Sequence, residues 1–421
     1  MKKLTILLLI AALLPALIQC SKRDNPLDPT DVPRGLYWSL AFDSDAISGD
    51  IMLSNPGRDV MVYTPPGYPR YESITPGDTT VYGDPNDPDS LDIVLPDTTF
   101  IDYPVLYLLH GYGGDHTYFK GLFGLAATVD ELVNFGQIEP MIVVTPDASN
   151  KLGGSFYTNS YSPDSSQSFA GLFQDYITNE VVPLIDSTFH TIADRQSRGI
   201  AGHSMGGYGA VKIGMLRNDL FGSVASMSGP LAFMGAYPDE SNPLALGLLT
   251  LMQAMLAENG FIAGDISSFY SVAPGTGKDL TNMMFAMGAA FTPHDPADPD
   301  TTYAHAFTVP GFAGHVDLPF DVNGVLANSV WALWMAHDVT TLFSAGYGVV
   351  FDNTDLYIDC GEQDDLLLQY QALAFADAAG AAINQFEIYS GFEDIFNPDH
   401  STFVAERLKE VIRFHDDSFN Q

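Results

Sequence analysis

Short apolar segments alternate with helix-forming segments along most of this chain. Buried-strand patterns occur at 104–109 (PVLYLL), 140–145 (PMIVVT), 198–202, 222–227, 355–359 (DLYID) and 385–389 (QFEIY), and an alternating strand pattern occurs earlier at 59–63 (DVMVY). Helical patterns occur at 122–135, 169–189, 208–216 and 402–414. Parallel strands need a crossover between them, usually a helix. The alternation therefore predicts the α/β class, with a mostly parallel sheet flanked by helices on both faces.

The alternation is interrupted between residues 230 and 349 by a stretch rich in Met, Phe, Ala and Gly. An insertion of this size after the sixth strand predicts a cap over a site. Within it, residues 244–257 (LALGLLTLMQAMLA) are apolar nearly all round but too few to span a bilayer. We expect a buried cap helix there; the alternative is the wall of a substrate groove. Met252, Met255, Met283, Met284 and Met287, with Trp331 and Trp334, could line such a groove or fill the cap.

A second insertion, at about 69–102, is acidic and rich in Pro, Gly, Asp and Thr. Its composition predicts a solvated loop. Asp87, Asp89 and Asp92 lie close together, but Leu91 stands where a third calcium ligand would fall and the turn glycine is missing. We therefore predict no metal site in this insertion.

The amino terminus has the pattern of an export signal. Lys2 and Lys3 precede an apolar run from Leu4 to Leu14, and residues 17–20 (LIQC) resemble a bacterial lipobox. The sequence thus predicts a signal peptide over 1–20, a polar linker over 21–34 and a folded domain over 35–421. If Cys20 is lipidated, we expect attachment to the bacterial outer membrane or cell surface. Plain cleavage near the same position would instead give a periplasmic or secreted protein.

The charge of the chain restricts its partners. Lys and Arg total 17 against 52 for Asp and Glu, giving a formal net charge of −35. Such a chain repels phosphate backbones, so we expect no nucleic-acid partner. Cys20 and Cys360 are the only cysteines, and acylation of Cys20 would leave no internal disulfide.

Residues 202–207 (GHSMGG) match the nucleophile-elbow pattern G-x-S-x-G, and they lie between a predicted strand and a predicted helix as that motif requires. We expect Ser204 to occupy a strained backbone conformation at the amino end of the helix, with its Oγ projecting above the sheet. A side chain larger than glycine at 202 or 206 would collide with neighbouring backbone. Ser204 is therefore the candidate nucleophile.

Acyl transfer also needs hydrogen-bond donors for an oxyanion. The N–H of Met205, the residue after the nucleophile, is the first candidate. The second comes from the glycine-rich loop 110–114 (HGYGG) after strand 104–109, where the N–H of Tyr112 is favoured. We expect His110 and Gly111 of this loop beside the substrate. His203, next to the nucleophile, could line the pocket or serve packing.

In folds with this elbow, an acid and then a histidine follow the serine, each after a later strand. Asp364 follows strand 355–359, and His400 follows strand 385–389 just before the last helix. Asp365 is adjacent and stays an alternative acid, whereas Asp359 falls inside the strand. No H-x-x-x-H or C-x-x-C spacing is present, so we predict neither a metal nor a cofactor.

These motifs resemble the esterase family of α/β-hydrolases that includes feruloyl esterases, S-formylglutathione hydrolase and mycobacterial mycolyltransferases. The similar stretches are YPVLYLLHGYGG (103–114), RGIAGHSMGGYGAVKIG (198–214), LYIDCGEQDD (356–365) and PDHSTF (398–403). The resemblance implies an α/β-hydrolase fold, Asp364 as the acid and His400 as the base. It also places Tyr157 and Asn159 in a loop near the substrate.

The activity that this resemblance implies is hydrolysis of carboxylic esters through an acyl-enzyme. The expected substrates are aryl or short acyl esters, such as feruloyl or acetyl esters of polysaccharide. Two alternatives stay open: an acyltransferase of the mycolyltransferase type, and a surface binding protein without turnover. The sequence differs from the family at Asp399-His400-Ser401, where family histidines often follow a glycine and precede an aromatic residue. The insertion 230–349 is also longer than in compact feruloyl esterases.

Overall fold

A computed structural model describes residues 32–81, 93–161, 167–234, 247–294, 306–309, 315–392, 395–396 and 398–421. Residues from Arg34 to Gln421 belong to one compact unit. The predicted signal peptide, Cys20 and nearly all of the predicted linker lie outside the described residues. None of the helices in the described ranges combines the length and apolarity needed to traverse a bilayer.

Eight strands form the central sheet, in the spatial order β1-β2-β4-β3-β5-β6-β7-β8. In chain order they are β1 Leu36–Asp43, β2 Gly57–Thr64, β3 Val105–Leu109, β4 Ile142–Pro146, β5 Arg198–His203, β6 Ser223–Met227, β7 Asp355–Gly361 and β8 Gln385–Tyr389. Strand β2 is antiparallel to both its neighbours, and the pairs from β4 to β8 are parallel. This sheet confirms the predicted α/β class and the seven predicted strands, whereas β1 was not predicted.

The two faces of the sheet bury two separate apolar clusters, because successive side chains of a strand point to opposite faces. In β3, Leu106 and Leu108 join the cluster packed by Phe119, Val129 and Leu408. The alternate residues of β3 belong to the other cluster, which packs against the helices after residue 172 and after Ser204. Both faces of the central strands are thus covered, as expected for a parallel sheet.

The helices are α1 Tyr118–Phe123, α2 Leu125–Asn134, α4 Met205–Leu216, α5 Leu248–Glu258, α6 Ile266–Tyr270, α7 Asp279–Phe291, α8 Asn328–Met335, α9 Val339–Ser344, α10 Leu368–Ala379 and α11 Val404–Phe419. Between α2 and α4, a continuous helical run, α3, combines Phe173–Asp175, a π-helical turn at Tyr176–Val181 and Val182–Thr188. Short 3₁₀ helices occur at Tyr347–Asp352 and Gly380–Ala382.

Two predicted helices differ in extent from those observed. The helix predicted over 122–135 is divided at Gly124, whose φ of +63° is left-handed and ends α1. The helix predicted from 169 begins at Phe173, because Ser168–Leu172 pairs as a strand with Asn159–Tyr161. Gly171 in that strand has a φ of +100°, which a helix cannot accommodate.

The predicted loop at about 69–102 contains a β-hairpin. Strand Tyr71–Val81 pairs with Ile93–Phe100 in antiparallel register, from Tyr71 opposite Phe100 to Val81 opposite Ile93. Both strands are rich in Thr, Ile and Val, residues that favour extended backbone. The loop was predicted because the acidic composition of the whole insertion was given more weight than these residues. Asp87, Asp89 and Asp92 lie outside the described residues.

Helices α5 to α9 and a small sheet lie between β6 and β7, in residues 228–354, termed here the β6–β7 segment. The small sheet consists of Pro293–His294, Ala306–Thr308 and His315–Asp317. The helix expected over 244–257 begins at Leu248, and only one of its faces is buried, through Leu251, Met252 and Met255. Gln253 on its other face is exposed. A final two-stranded pair joins Gly391–Phe392 to Ile395–Phe396.

The register of the sheet brings three strand ends together. His203 at the end of β5 is opposite Met227 of β6, and Met227 is opposite Asp359 of β7. Because these strands are parallel, the loops that follow them all begin at the carboxyl ends of the strands. Ser204 and the loop containing Asp364 therefore lie on the same side of the sheet, at these carboxyl ends.

Candidate active site

Ser204 lies in the sharp turn between β5 and α4. Its φ of 57° and ψ of −121° are unusual for a residue with a side chain, and its N–H donates to Met227 O at 2.8 Å. A Cβ at Gly202 would collide with the backbone of Gly206, and a Cβ at Gly206 would collide with Leu109 O. The strained serine and the two crowded glycines are those that the sequence predicted.

His400 links Ser204 to Asp364. Its Nε2 lies 2.8 Å from Ser204 Oγ, and its Nδ1 lies 2.8 Å from Asp364 Oδ2. The His400 side chain is 13% exposed, whereas that of Asp364 is fully buried. The structure thus brings the three side chains into the continuous hydrogen-bonded order serine, histidine, carboxylate, from loops after β5, β7 and β8.

Several groups hold the Asp364 carboxylate in place. Burial acts to raise its pKa, but the hydrogen bond and charge of His400 and the N–H groups of Leu366 and Leu368 together keep this pKa below its ordinary value. Leu366 N–H donates to Oδ1 at 2.9 Å, and the buried thiol of Cys360 lies 3.6 Å from Oδ2. The carboxylate is therefore ionised at neutral pH and can orient the imidazole.

The two alternative acids occupy other positions. Asp365 Oδ1 accepts the backbone N–H of His400 at 3.3 Å rather than contacting the ring. Asp359 is fully buried in β7, where it pairs with the guanidinium of Arg407 and accepts from Tyr357 OH at 2.9 Å. Of the three aspartates, Asp364 is the one whose carboxylate reaches the imidazole of His400.

His203 forms a hydrogen bond with the backbone of His400. Its Nε2 lies 2.9 Å from His400 O, and because a carbonyl only accepts, Nε2 carries the proton. Its Nδ1 then accepts from Tyr118 OH at 2.8 Å. Burial and the nearby His400 charge lower the pKa of His203 well below its ordinary value, so the ring stays neutral. His203 is buried, contacts the backbone of His400 and does not line the described wall of the cavity that contains Ser204, which favours a packing role.

The two residues expected to supply oxyanion donors lie at the start of α4 and in the turn after β3. Met205 is the first residue of α4, where N–H groups have no intrahelical acceptor. Tyr112 lies in the turn after β3, fixed by bonds from Gly113 N–H to Gly153 O at 2.8 Å and from its own OH to Leu152 O at 2.6 Å. Tyr112 and Met205 both line the cavity that contains Ser204.

This cavity is mostly apolar. The β6–β7 segment supplies Leu248 and Leu251 from α5 and Met283 and Met287 from α7. Of the methionines considered for a groove, Met252, Met255 and Met284 are buried in the apolar core instead, as are both tryptophans of 331–334. Residues outside the β6–β7 segment also line the cavity: Tyr112, Phe156, Ser204, Met205, Leu366, Leu368 and Gln371.

Four residues expected beside the substrate have internal roles. His110 is buried and its Nε2 accepts from Ala148 N–H at 2.9 Å, and a Cβ at Gly111 would crowd Tyr118 OH. Tyr157 is fully buried with its OH donating to His110 O at 3.0 Å, and Asn159 Oδ1 accepts from Asp175 N–H at 3.1 Å. The structure does not bring these four, or His203, to the described wall of the cavity.

Sequence reasoning missed Phe156, Leu366, Leu368 and Gln371 of the cavity wall. The last three follow Asp364 within seven residues, so closeness to the predicted acid was the available signal. Phe156 carried no such signal, because its side-chain direction depends on a left-handed φ of 48°. Within the described ranges, no group of three or more His, Cys, Asp or Glu side chains is arranged to hold a metal ion.

This chain is similar to known proteins in family, in sequence and in structure. The family model described as Putative esterase matches residues 86–401. An esterase of Mycobacterium tuberculosis is 34% identical over 149 residues, which cover 33% of this chain and 29% of that protein. An endo-1,4-beta-xylanase/feruloyl esterase of Xylanibacter ruminicola is 37% identical over 130 residues, or 30% of this chain and 16% of that protein. The chain thus spans less than a third of the length of these relatives.

Two solved structures extend the comparison over most of the chain. A ferulic acid esterase has a TM-score of 0.50 at 18% identity, covering 92% of this chain and 99% of the other. An S-formylglutathione hydrolase from Agrobacterium tumefaciens has a TM-score of 0.50 at 16% identity, covering 91% and 96%. At these identities the likeness shows a shared fold, and it confirms the predicted α/β-hydrolase fold.

Proposed function

Because this chain belongs to the Putative esterase family, we propose that it hydrolyses carboxylic esters through an acyl-enzyme formed on Ser204. The observation that carries the proposal is the pair of 2.8 Å contacts that joins Ser204 Oγ to His400 and His400 to Asp364 beside an apolar cavity. A serine hydroxyl is a weak nucleophile at its free pKa, and an adjacent base in such a contact activates it by accepting its proton.

In the first half-reaction, His400 Nε2 takes the Ser204 proton as Oγ attacks the ester carbonyl carbon. The carbonyl oxygen becomes an oxyanion, which accepts hydrogen bonds from the N–H groups of Met205 and Tyr112. Collapse of this intermediate breaks the bond to the alcohol oxygen, which leaves with the proton from His400. The acyl group then remains on Ser204 Oγ.

In the second half-reaction, water replaces the alcohol. His400 takes a proton from the water as its oxygen attacks the acyl carbon, and it returns a proton to Ser204 Oγ when the carboxylic acid leaves. Asp364 stays ionised throughout, holding the proton of the imidazole on Nδ1 and stabilising the imidazolium. His203 keeps the backbone of His400 in place.

The substrates proposed are neutral aryl or short acyl esters, such as feruloyl or acetyl esters of polysaccharide. The apolar side chains around Ser204 support an uncharged acyl group, and the net charge of −35 disfavours anionic substrates. The names of the Xylanibacter relative and the ferulic acid esterase support the feruloyl class. No cofactor takes part in the proposed reaction.

We further propose that the β6–β7 segment is the cap of this site. It supplies Leu248, Leu251, Met283 and Met287 to the cavity wall, so its position determines the space open to a substrate. Unbranched methionine side chains can adapt to different acyl groups. We also propose export of the protein, with anchoring through a lipidated Cys20, on the sequence pattern of residues 1–20.

Substitution Ser204→Ala tests the mechanism. We expect turnover of a 4-nitrophenyl ester to fall by at least about a thousandfold, with the circular dichroism spectrum unchanged, because the nucleophile is lost and the turn is retained. A fluorophosphonate probe should label the original protein and not this variant. The control is Ser187→Ala, an exposed serine on α3, which should retain full turnover.

Retained turnover in Ser204→Ala, or probe labelling at another residue, would contradict the acyl-enzyme. A sugar acceptor added to the assay separates the transferase alternative. Hydrolysis predicts free carboxylic acid as the main product, whereas an excess of acylated sugar would favour transfer.

A further inference from the structure

Gln371 is a buried polar residue in the wall of the otherwise apolar cavity. It lies on α10, seven residues after Asp364, and none of its surface is exposed to solvent. It nevertheless lines the same cavity as Ser204. Gln371 is therefore a buried member of the cavity wall.

The orientation of its amide is set by a backbone group. Ala232 N–H, just after β6, donates to Gln371 Oε1 at 3.2 Å. A backbone N–H can only donate, so the atom that faces it is the oxygen and the amide cannot be reversed without losing this bond. The NH₂ group consequently points elsewhere, and Nε2 has no hydrogen-bond partner among the described residues.

A buried donor without an acceptor is unfavourable, so the unpartnered Nε2 requires an explanation. The other side chains of the described cavity wall are apolar apart from Ser204 and Tyr112, and none of them accepts a hydrogen bond from Nε2. The acceptor that Nε2 lacks among the described residues can be supplied by a bound ligand.

We propose that Gln371 Nε2 is a specificity-determining donor for a neutral oxygen acceptor carried by the apolar acyl group of the substrate. An ether, ketone or phenol oxygen remote from the scissile carbonyl meets this description. A carboxylate does not, because no Lys or Arg side chain lines the described wall of the cavity. We place this acceptor on the acyl group because, in the proposed mechanism, the acyl group stays on Ser204 in the same cavity as Gln371, whereas the alcohol leaves. The inference rests on the proposed esterase function.

Matched substrates isolate this hydrogen bond. The probes are 4-nitrophenyl 3-phenylpropanoates that carry a methoxy or an ethyl group at the ortho, meta or para position of the ring. The two groups have similar size, but only methoxy accepts a hydrogen bond. For at least one position we expect kcat/KM of the methoxy ester to exceed that of the ethyl ester by about tenfold, the value of one buried hydrogen bond.

Substitution Gln371→Met keeps the length of the side chain and removes the donor. We expect the methoxy-to-ethyl ratio to fall to about one, while the ethyl ester is still hydrolysed. The ratio is the informative quantity, since a purely structural effect of losing the Ala232 bond would slow both esters alike. Gln369→Met is the matched control, because Gln369 is also buried on α10 with an unpartnered Oε1 but does not line the described cavity wall.

Equal rates for every methoxy and ethyl pair in the original protein would overturn this inference, and so would a ratio that persists in Gln371→Met. Either result leaves the esterase proposal intact as long as turnover still depends on Ser204. Turnover that survives Ser204→Ala would instead refute the proposed function itself.

Discussion

Neighbouring aspartates show how much one carboxylate depends on its surroundings. Asp364 and Asp365 are adjacent, yet only Asp364 contacts the His400 ring, while Asp365 accepts the His400 backbone N–H. Asp364 is buried, with a pKa held below its ordinary value. Its role in the proposed mechanism is to keep the His400 proton on Nδ1, so that Nε2 is free to accept from Ser204.

This role predicts the effect of Asp364→Asn. An amide at this position can present its NH₂ group to His400 Nδ1 and favour the wrong tautomer, so we expect kcat to fall by about 10³- to 10⁴-fold with the fold retained. Steady-state kinetics with a 4-nitrophenyl ester measure this. Asp365→Asn is the matched control and should lose less than about tenfold. Equal losses in the two variants would rule out the assignment of Asp364 as the orienting acid.

At the level of single residues, the sequence predicted the three side chains joined by hydrogen bonds better than it predicted the residues that line the cavity. Motif and chain order place Ser204, Asp364 and His400, because the fold requires each after a particular strand. Which way a side chain points in a loop has no such rule. Tyr157, for example, has a left-handed φ of 47° and its OH donates to His110 O rather than facing the cavity.

Helix α4 and the β6–β7 segment are joined by a buried polar contact. Lys212 Nζ lies 2.7 Å from Thr158 Oγ1, 3.0 Å from Tyr208 OH and 3.1 Å from His337 Nδ1. These three acceptors match the three donors of an ammonium group, but burial without a carboxylate lowers the pKa of Lys212 to about 7. Burial and Lys212 also lower the pKa of His337 to about 2, so that ring stays neutral.

This contact makes stability depend on pH. An unfolded chain retains the lysine proton up to a pKa near 10.4, whereas the folded chain releases it near 7. Between these values the unfolded state binds more protons, so Lys212 makes stability rise with pH, by at most about 1.4 kcal/mol per pH unit. Lys212→Met should therefore flatten the pH dependence of the unfolding free energy between about pH 7.5 and 9.5, measured by urea titration.

The control for this prediction is Lys409→Met, which removes a partly exposed lysine paired with Glu131. That variant should keep the slope of the original protein. A Lys212→Met protein with the same slope as the original would show that this lysine titrates normally in the fold.

At the level of elements, strands such as β3 and β4 could be predicted because they are buried on both faces, and a continuous apolar run can be recognised without knowing its neighbours. Strand β1 and the hairpin at 71–100 are different, since both depend on a pairing partner. The residues of β1 are exposed or half-buried at the edge of the sheet without strict alternation, and the hairpin strands carry mixed polar residues. Neither pattern indicates a strand until the partner is known.

For the whole molecule, excess negative charge is the dominant long-range electrostatic feature. With 52 acidic and 17 basic side chains, repulsion among carboxylates opposes the folded state. Salt screens this repulsion over a Debye length that shortens from about 30 Å at 0.01 M to about 3 Å at 1 M. Overall acidity could be read from composition alone, but where the charges lie required the fold.

Raising NaCl from about 10 mM to 500 mM at pH 7.5 should therefore raise the melting temperature, by about 1 °C for each kcal/mol of repulsion removed. Differential scanning calorimetry measures the shift. The same comparison at about pH 4.5, where some carboxylates are protonated, should give a smaller shift. A melting temperature that falls with salt at pH 7.5 would mean that attractive ion pairs outweigh the repulsion.

The β6–β7 segment leaves and re-enters the sheet at two directly adjacent strands, since Ser223 is opposite Asp355 and Met227 is opposite Asp359. Ser204 precedes this excursion, whereas Asp364 and His400 follow it. Insertion, deletion or recombination within the excursion can thus occur during evolution without displacing the reacting groups. Under the proposed function, descendants of one ancestral gene can in this way diverge in the esters they accept while inheriting the same chemistry.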